Sequence, residues 1–472
     1  ERDAELTNEL LDLLKKDGFY NSADAAQMAK WNPYSQTEPA GFFDAWWMFG
    51  IENGFDVVIG NPPYVESRSA DVPQELKEKY LEQVSIDFGK LSQYITKGSD
   101  LLIYFFSRSI FLLRENGCGS LIVQNGWLNT DYGAKVSNFF VNTLDYIKVS
   151  DSPFRHFDKN SANINTVITL FKKKSVVKSV CFDMMRKQGD TLLSGSLKSF
   201  AINDNILTNV KWGVVLYTTN DIFSIYQDII SKGSKIDQSF YSIGQGINEN
   251  QDVFIPVKEK SKIEQQENII YAVFKEYKYH YKTFDYFLYH QTKKSSRDIN
   301  LLRQINAQEF AKRKNIKRKY PAIILPRGIG ATHFAGIIDG KAFSNSYVDI
   351  YMIDDNEEMK MNIWLFCNSS LFFLYREISG RKNLGGGLLK SEATDIKSIP
   401  LYFPISDKKT LLSIIENAGN PISLPERLQT PVQRQIDSLV FSYFNIEKYE
   451  KLIIRELNHL FNFRNQKAKH DR

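Results

Sequence analysis

The chain has 472 residues, 43% of them hydrophobic and 24% charged, with a formal net charge of +5. That composition is globular and excludes collagen-like, fibrous and disordered chains; at this length roughly two to four domains are expected. No apolar run reaches the roughly 18 residues a membrane span needs, and Cys118, Cys181 and Cys367 lie too far apart in sequence for a metal-ligand or disulfide framework, which predicts a cytoplasmic protein.

The chain opens Glu1-Arg2-Asp3 without an initiator methionine, which suggests a piece of a longer protein or a processed product. Glu5–Lys16 places Leu6, Leu10, Leu11, Leu13 and Leu14 on a broad face and predicts a helix. Residues 20–50 lack clear periodicity. Phe55–Gly60 is a short apolar run before a Pro pair and predicts a strand buried on both faces. A polar helix over 74–84 follows, then an apolar helix over Leu101–Glu115 closed by Asn116-Gly117. Ser120–Gln124 predicts a buried strand, Ala134–Leu144 a helix, and Tyr146–Ser150 and Asn165–Phe171 two more strands. This alternation predicts an α/β sheet with helices on its faces. After residue 200 short mixed segments and glycine turns suggest a separate α+β domain. From about residue 424 the pattern is helical, with helices over Val432–Tyr443 and Glu447–Phe461.

Charge is uneven. Residues 257–320 hold 16 Lys or Arg and 7 Asp or Glu, a local +9, while the remainder nets −4. The densest run, Lys312 to Lys319, follows an aromatic stretch from Tyr277 to Tyr289. Cations that displace counterions beside rings that stack on bases suit a polyanion contact; a solvated basic loop is the other reading.

Asn61-Pro62-Pro63-Tyr64 follows the Phe55–Gly60 strand directly, and active sites of open α/β sheets lie at the C-terminal ends of strands. Two prolines fix the backbone and remove two N–H donors, leaving carbonyls as free acceptors. With the Asn61 side-chain carbonyl, two acceptors can converge on one exocyclic amino group. Tyr64 offers a face for a base, which reaches such a pocket only when extruded from the duplex.

Phe55–Val65 resembles the catalytic motif of N6-adenine DNA methyltransferases of the gamma type, and more narrowly the fused methyltransferases of type IIG restriction–modification systems. Gly41–Gly50 resembles the lead-in to the catalytic strand, Asp100–Phe106 the helix after the motif, and Gly119–Thr130 the next strand and loop, where the family usually has Pro and Ser in place of Gln124 and Gly126. Phe157–Leu170 resembles the last strand pair. Ile243–Ile247, Pro326–Gly328, the segment around Cys367-Asn368-Ser369 and Ile399-Pro400 resemble the target-recognition domain, and Ile436-Asp437 with the helices after it resembles the closing segment. The resemblance implies a partial Rossmann-like methyltransferase sheet (1–180), an α+β DNA target-recognition domain (200–415) and a C-terminal helical segment (424–463).

Carried over, Asn61 and the Pro62 carbonyl would hold the adenine N6 amino group, Pro63 would stiffen the turn, Tyr64 would stack on the base, and Phe157 would contact it from another side, unless Phe157 is an ordinary core residue. Arg327, Arg376, Arg381 and Lys382, together with Lys312, Arg313, Lys317 and Arg318, are candidate contacts to double-stranded DNA, with plain surface charge as the alternative. The implied cofactor is S-adenosyl-L-methionine. Its glycine-rich loop is not evident among Gly18, Gly41, Gly50, Gly54 and Gly60, which suggests that the cofactor-binding strands lie in an upstream half of the parent protein.

Pro326-Arg-Gly-Ile-Gly330 could mimic a permuted cofactor loop but reads better as a strand turn of the recognition domain. Glu276-Tyr-Lys278 and Glu358-Met-Lys360 fit a nuclease triplet by chance, and the six histidines show no metal spacing. Three other readings fit: methylation of a protein glutamine amide at N5, against which the basic C-terminal part argues; a catalytically incomplete DNA-recognition module; and a methyltransferase of a phage-defence system that lacks a fused nuclease.

Overall fold

The computed structural model describes residues 2–16, 22–32, 43–65, 72–152, 165–184, 198–208, 210–233, 239–246, 254–256, 270–273, 278–282, 286–288, 320–339, 342–344, 346–382, 387–397, 399, 401 and 407–469. The first part is mixed α/β. Helices α1 (Arg2–Lys16), α2 (Ser22–Ala29) and α3 (Ala45–Phe49) precede strand β1 (Phe55–Gly60). Helices α4 (Gln74–Phe88) and α5 (Leu101–Leu112) lead into β2 (Leu113–Gln124), and α6 (Asp131–Thr143) into β3 (Tyr146–Asp151), β4 (Thr166–Lys172), β5 (Ser179–Met184) and β6 (Lys198–Ala201). The six strands form one sheet in the order β1-β2-β4-β3-β5-β6. The pairs β1–β2 and β3–β5 are parallel and the other neighbours antiparallel. The C-terminal ends of β1, β2, β3 and β5 therefore share one edge with the N-terminal end of β4.

Two sequence expectations change here. The apolar helix stops at Leu112, and the chain passes straight into β2, because Leu113 is already extended and pairs with Phe55. Asn116-Gly117 is thus not a helix cap. It lies in an irregularity of the ladder, where the register jumps from Phe55↔Leu113 to Val57↔Cys118. Gly117 suits that place because a Cβ there would come within 2.8 Å of the Phe55 carbonyl oxygen. Second, β1 is not buried on both faces. It is an edge strand: Val58 packs on the main core, but Val57 is 55% and Ile59 76% exposed. Short helices α2 and α3, in the stretch without clear periodicity, were not anticipated; α1 and α2 share a small cluster of Leu14, Ala25, Met28 and Ala29.

The second part begins with α7 (Trp212–Leu216) and α8 (Asn220–Gly233). Strand β7 (Tyr241–Gln245) follows, then β8 (Phe254–Pro256), β9 (Ile270–Val273), β10 (His280–Lys282), β11 (Tyr286–Leu288), β12 (Ile323–Pro326), β13 (Gly328–Ile329), β14 (Gly336–Asp339), β15 (Phe343–Ser344), β16 (Tyr347–Met352) and β17 (Leu389–Lys390). They form a five-stranded sheet β10-β14-β12-β16-β7, a four-stranded sheet β15-β9-β11-β8 and the pair β13-β17. Helices over Glu357–Cys367, Ser370–Ser379, Lys408–Asn417, Pro431–Phe444 and Glu450–Lys469 complete it. One apolar cluster runs from Val84 to Phe463, so the first sheet, the second part and the C-terminal helices share a core. No helix among the described residues is long and apolar enough to cross a membrane.

Asp349 in β16 is enclosed and accepts hydrogen bonds from Ser344 Oγ and, at 2.9 Å, from Tyr351 Oη. Burial pushes its carboxyl up to about 7, against the pull of the two hydroxyls. A raised folded-state value means that the stability it contributes is present at low pH and lost as pH rises from about 4 through 7. Asp349→Asn is therefore expected to raise the melting temperature at pH 8. The gain should shrink steadily toward pH 4, as thermal melts across that range would record.

Candidate active site

The Asn61-Pro62-Pro63-Tyr64 turn leaves the sheet at the C-terminal end of β1. Gly60 still pairs with Leu121 of β2, so the turn begins where the ladder ends. Pro62 is buried and anchors the turn, while Asn61 and Pro63 are exposed and Tyr64 is half-buried. The Tyr64 hydroxyl donates to Asn61 Oδ1 at 2.6 Å, and partial burial raises the phenol above its ordinary value. Val65 N donates to Pro63 O at 3.0 Å, and Leu101 N, at the start of α5, donates to Val65 O at 3.3 Å. The turn is thus tied at one end to the sheet and at the other to α5. Its exposed Asn61 amide oxygen accepts from the neighbouring phenol, and an incoming amino group would have to compete for that acceptor.

Beside the turn, the same edge gathers polar side chains. Asp100 Oδ2 accepts from Tyr132 Oη at 2.6 Å and from Gln124 Nε2 at 3.1 Å. Burial, followed by the Asp100 carboxylate, drives the Tyr132 phenol well above its ordinary value, with the Arg381 guanidinium opposing. Farther along, Tyr217 Oη donates to buried Asp151 Oδ2 at 2.6 Å, and Asn125 N donates to Asn165 O at 2.9 Å. Segment 380–382 of the second part closes over this edge: Asn129 Nδ2 donates to Gly380 O at 3.2 Å and Asn165 Nδ2 to Lys382 O.

The candidate DNA-contacting residues divide. Arg376 is fully enclosed and donates to Pro326 O, so it offers no guanidinium to an exterior polyanion. Lys382 is 3% exposed, with its ammonium over the Tyr217 ring at 4.0 Å and donating to Glu377 O. Both expectations are corrected: these cations satisfy buried carbonyls and a ring, because the C-terminal helices cover them. Arg327 forms a two-pronged pair with Glu392 at 3.0 Å on each arm and is partly exposed. Arg381 is also partly exposed, its backbone bridged to Lys390. Phe157, Lys312, Arg313, Lys317 and Arg318 lie outside the described residues, as does nearly all of the basic stretch.

The Pro326–Gly330 turn is not a cofactor loop here. It joins β12 to β13, and its carbonyls serve buried donors: Pro326 O takes Arg376, Arg327 O takes Ser391 N, and Ile329 O and Gly330 O take Arg464. Glu358-Met-Lys360 lies within a helix, where Lys360 pairs with Glu357. No cluster of three or more His, Cys, Asp or Glu suited to a metal occurs among the described residues.

The first part of the chain is a mixed α/β sheet that presents Asn61-Pro62-Pro63-Tyr64 at the C-terminal end of β1, a strand paired in parallel with β2. Residues 1–157 match the family described as Eco57I restriction-modification methylase. The chain is 29% identical over 130 residues to the type II methyltransferase M.BstVI of Geobacillus stearothermophilus, covering 27% of this chain and 21% of that protein. It is 26% identical over 160 residues to the type II methyltransferase M.PaeR7I of Pseudomonas aeruginosa, covering 33% of this chain and 25% of that one. Among solved structures it is similar to the type IIL restriction-modification enzyme MmeI in complex with DNA (TM-score 0.48, 11% identity, 88% of this chain and 57% of that one). It is also similar to the type IIG restriction endonuclease BpuSI (TM-score 0.38, 14% identity, 88% and 54%). The chain thus spans little more than half the length of these two structures, and its matches cover about a quarter or less of the two curated relatives.

Proposed function

We propose that this chain carries the amine-holding half of a DNA methyltransferase active site, together with a DNA target-recognition part, and that the reaction is methylation of N6 of a flipped adenine in double-stranded DNA. The observation that carries the reading is the position of Asn61-Pro62-Pro63-Tyr64: rigid, accessible and at the C-terminal end of a parallel strand in a methylase-family segment.

The Asn61 amide oxygen and the Pro62 carbonyl would each accept one N–H of the exocyclic amine. Two acceptors draw the amine toward pyramidal geometry and localise its lone pair on nitrogen. Positioning and electrostatics then supply most of the rate. Tyr64 gives the extruded base a face to lie on. Binding exchanges the Tyr64–Asn61 hydrogen bond for two bonds from the amine.

S-adenosyl-L-methionine is the donor that this reading requires. The described residues do not fit a cradle for it, since no glycine-rich turn opens a helix on the free side of β1. Among the described residues β1 pairs only with β2, and one face of it is apolar: Val57 and Ile59 are exposed, as are Phe43, Trp46 and Phe49. An unpaired apolar edge is a template for further strands. We infer that cofactor-binding strands from an upstream half of the parent protein pair with β1. The same observation favours the second reading, in which the isolated chain only recognises DNA.

Transfer of labelled methyl from S-adenosyl-L-methionine to mixed-sequence duplex DNA tests both. Transfer by the parent-length protein and not by this chain supports the proposal. DNA binding without transfer in either form leaves the recognition module. Transfer to a glutamine-bearing protein substrate instead of DNA would favour the amide reading.

Tyr64 allows a finer test. Tyr64→Phe keeps the stacking face and releases Asn61 Oδ1, so the single-turnover rate should stay within about threefold of the wild type. Tyr64→Ala removes the face and should cost about tenfold or more, as loss of base–aromatic stacking does.

A further inference from the structure

We propose that Asp100, Tyr132 and Gln124 form a positioning network for the Asn61–Tyr64 turn, acting on it through the backbone at Val65 without touching substrate; the proposal rests on the methylase reading above. Beyond the sheet, the turn is held among the described residues by the Leu101 N to Val65 O hydrogen bond at 3.3 Å. Asp100, immediately before that amide, occupies the cap position of α5. An Asp there ordinarily accepts from amides of its own helix's first turn and gains about 1 kcal/mol by doing so. Asp100 makes no such side-chain capping bond. Its carboxylate accepts instead from Tyr132, in the first turn of α6, and from Gln124, the last residue of β2.

Three elements that end or begin at the catalytic edge therefore converge on one carboxylate, one residue from the tie that holds the turn. Charge-assisted bonds of this kind are short and strongly oriented, and the 2.6 Å Tyr132 bond is one of them. Gln124 is 5% exposed, so its amide is committed to the interior.

The test uses hydrogen exchange on the full chain and single-turnover methyl transfer on the parent-length protein, for Tyr132→Phe, Gln124→Ala, Asp100→Ala and Asp100→Asn. Tyr132→Phe and Asp100→Ala are expected to speed exchange at Val65 and Leu101 about tenfold with the melting temperature little changed. The transfer rate should fall about ten- to hundredfold, the scale of a slightly misplaced reacting group, with the KM for DNA unchanged. Gln124→Ala should produce the same changes to a smaller degree. Asp100→Asn, which keeps an acceptor for Tyr132, should restore most of both readouts. Unchanged exchange at Leu101 in Tyr132→Phe and Asp100→Ala would overturn the proposal. So would exchange that rises across the whole chain with a lowered melting temperature, because the role would then be general stability. If the exchange changes appear but even the wild-type parent transfers no methyl, the network stands and the methylase reading fails.

Discussion

Asn61→Ala is expected to lower the single-turnover rate of methyl transfer in the parent-length protein by about 10²–10³-fold, the usual cost of removing one preorganised partner of a transition-state charge. DNA affinity should change by less than about threefold. The separation follows from where Asn61 sits. It is exposed at the end of an edge strand, and the hydrogen bond it receives comes from Tyr64, three residues away. Nothing in the core rests on it, so stability should shift by no more than about 0.5 kcal/mol. Asn61→Asp is the sharper companion. A carboxylate accepts as well as an amide but adds a charge, and the nitrogen becomes cationic as it is methylated. Activity well above that of Ala in the Asp variant would show that the acceptor matters more than neutrality. If Asn61→Ala transferred methyl at the wild-type rate, the turn would be structural and the proposed chemistry would be wrong.

The turn itself was legible in the sequence because its information is local. Two prolines and an asparagine fix a backbone shape wherever the preceding strand ends. The burial of that strand was not legible. Phe55-Asp-Val-Val-Ile-Gly has the composition of a strand covered on both faces, and composition cannot say whether a neighbour is present in the same chain. The apolar helix over 101–115 was misjudged at its end for a related reason. Leu113 is as good a helix former as Leu112, and what stops the helix is the pairing of Leu113 with Phe55, a contact 58 residues away. Arg376 and Lys382 read as surface cations because charge is usually outside. They are enclosed because helices far along the chain cover them, and their donors satisfy carbonyls that would otherwise be buried alone. Asp100 carries no such local signal either. Its role depends on Tyr132 and Gln124, whose approach is set by the sheet order, and no spacing rule announces it.

The largest effect on stability is expected from Arg464→Leu, at about 3–5 kcal/mol, the cost of leaving a buried charge without its partner. Arg464, on the helix Glu450–Lys469, places Nε and Nη2 at 3.1 and 2.7 Å from the carboxylate of Glu377, which is fully enclosed on the helix Ser370–Ser379. Its remaining donors serve the carbonyls of Ile329, Gly330 and Gly387. His333 Nε2 lies 2.8 Å from the same carboxylate. Burial pushes the Glu377 carboxyl up, but Arg464 and His333 together outweigh it and hold it well below the usual carboxylate range. Burial likewise holds His333 down at about 4, against the pull of Glu377. His333 is then neutral at pH 7, with Nε2–H donating to Glu377.

Both groups are depressed in the folded state, so both contribute stability that is present at neutral pH. The His333 share is lost as pH falls from about 6.5 through 4, and the Glu377 share only below about 4.5. Glu377→Leu combined with Arg464→Leu removes the charge and its partner together, and should cost much less than Arg464→Leu alone. The double variant should also lose stability less steeply below about pH 4.5. Denaturant melts of the single and double variants from pH 8 to about pH 2 separate these terms. If Arg464→Leu alone melted like the wild type, Ile453, Leu457, Leu460 and Phe461 would hold the last helix by apolar packing, and the ion cluster would be a passenger in the core.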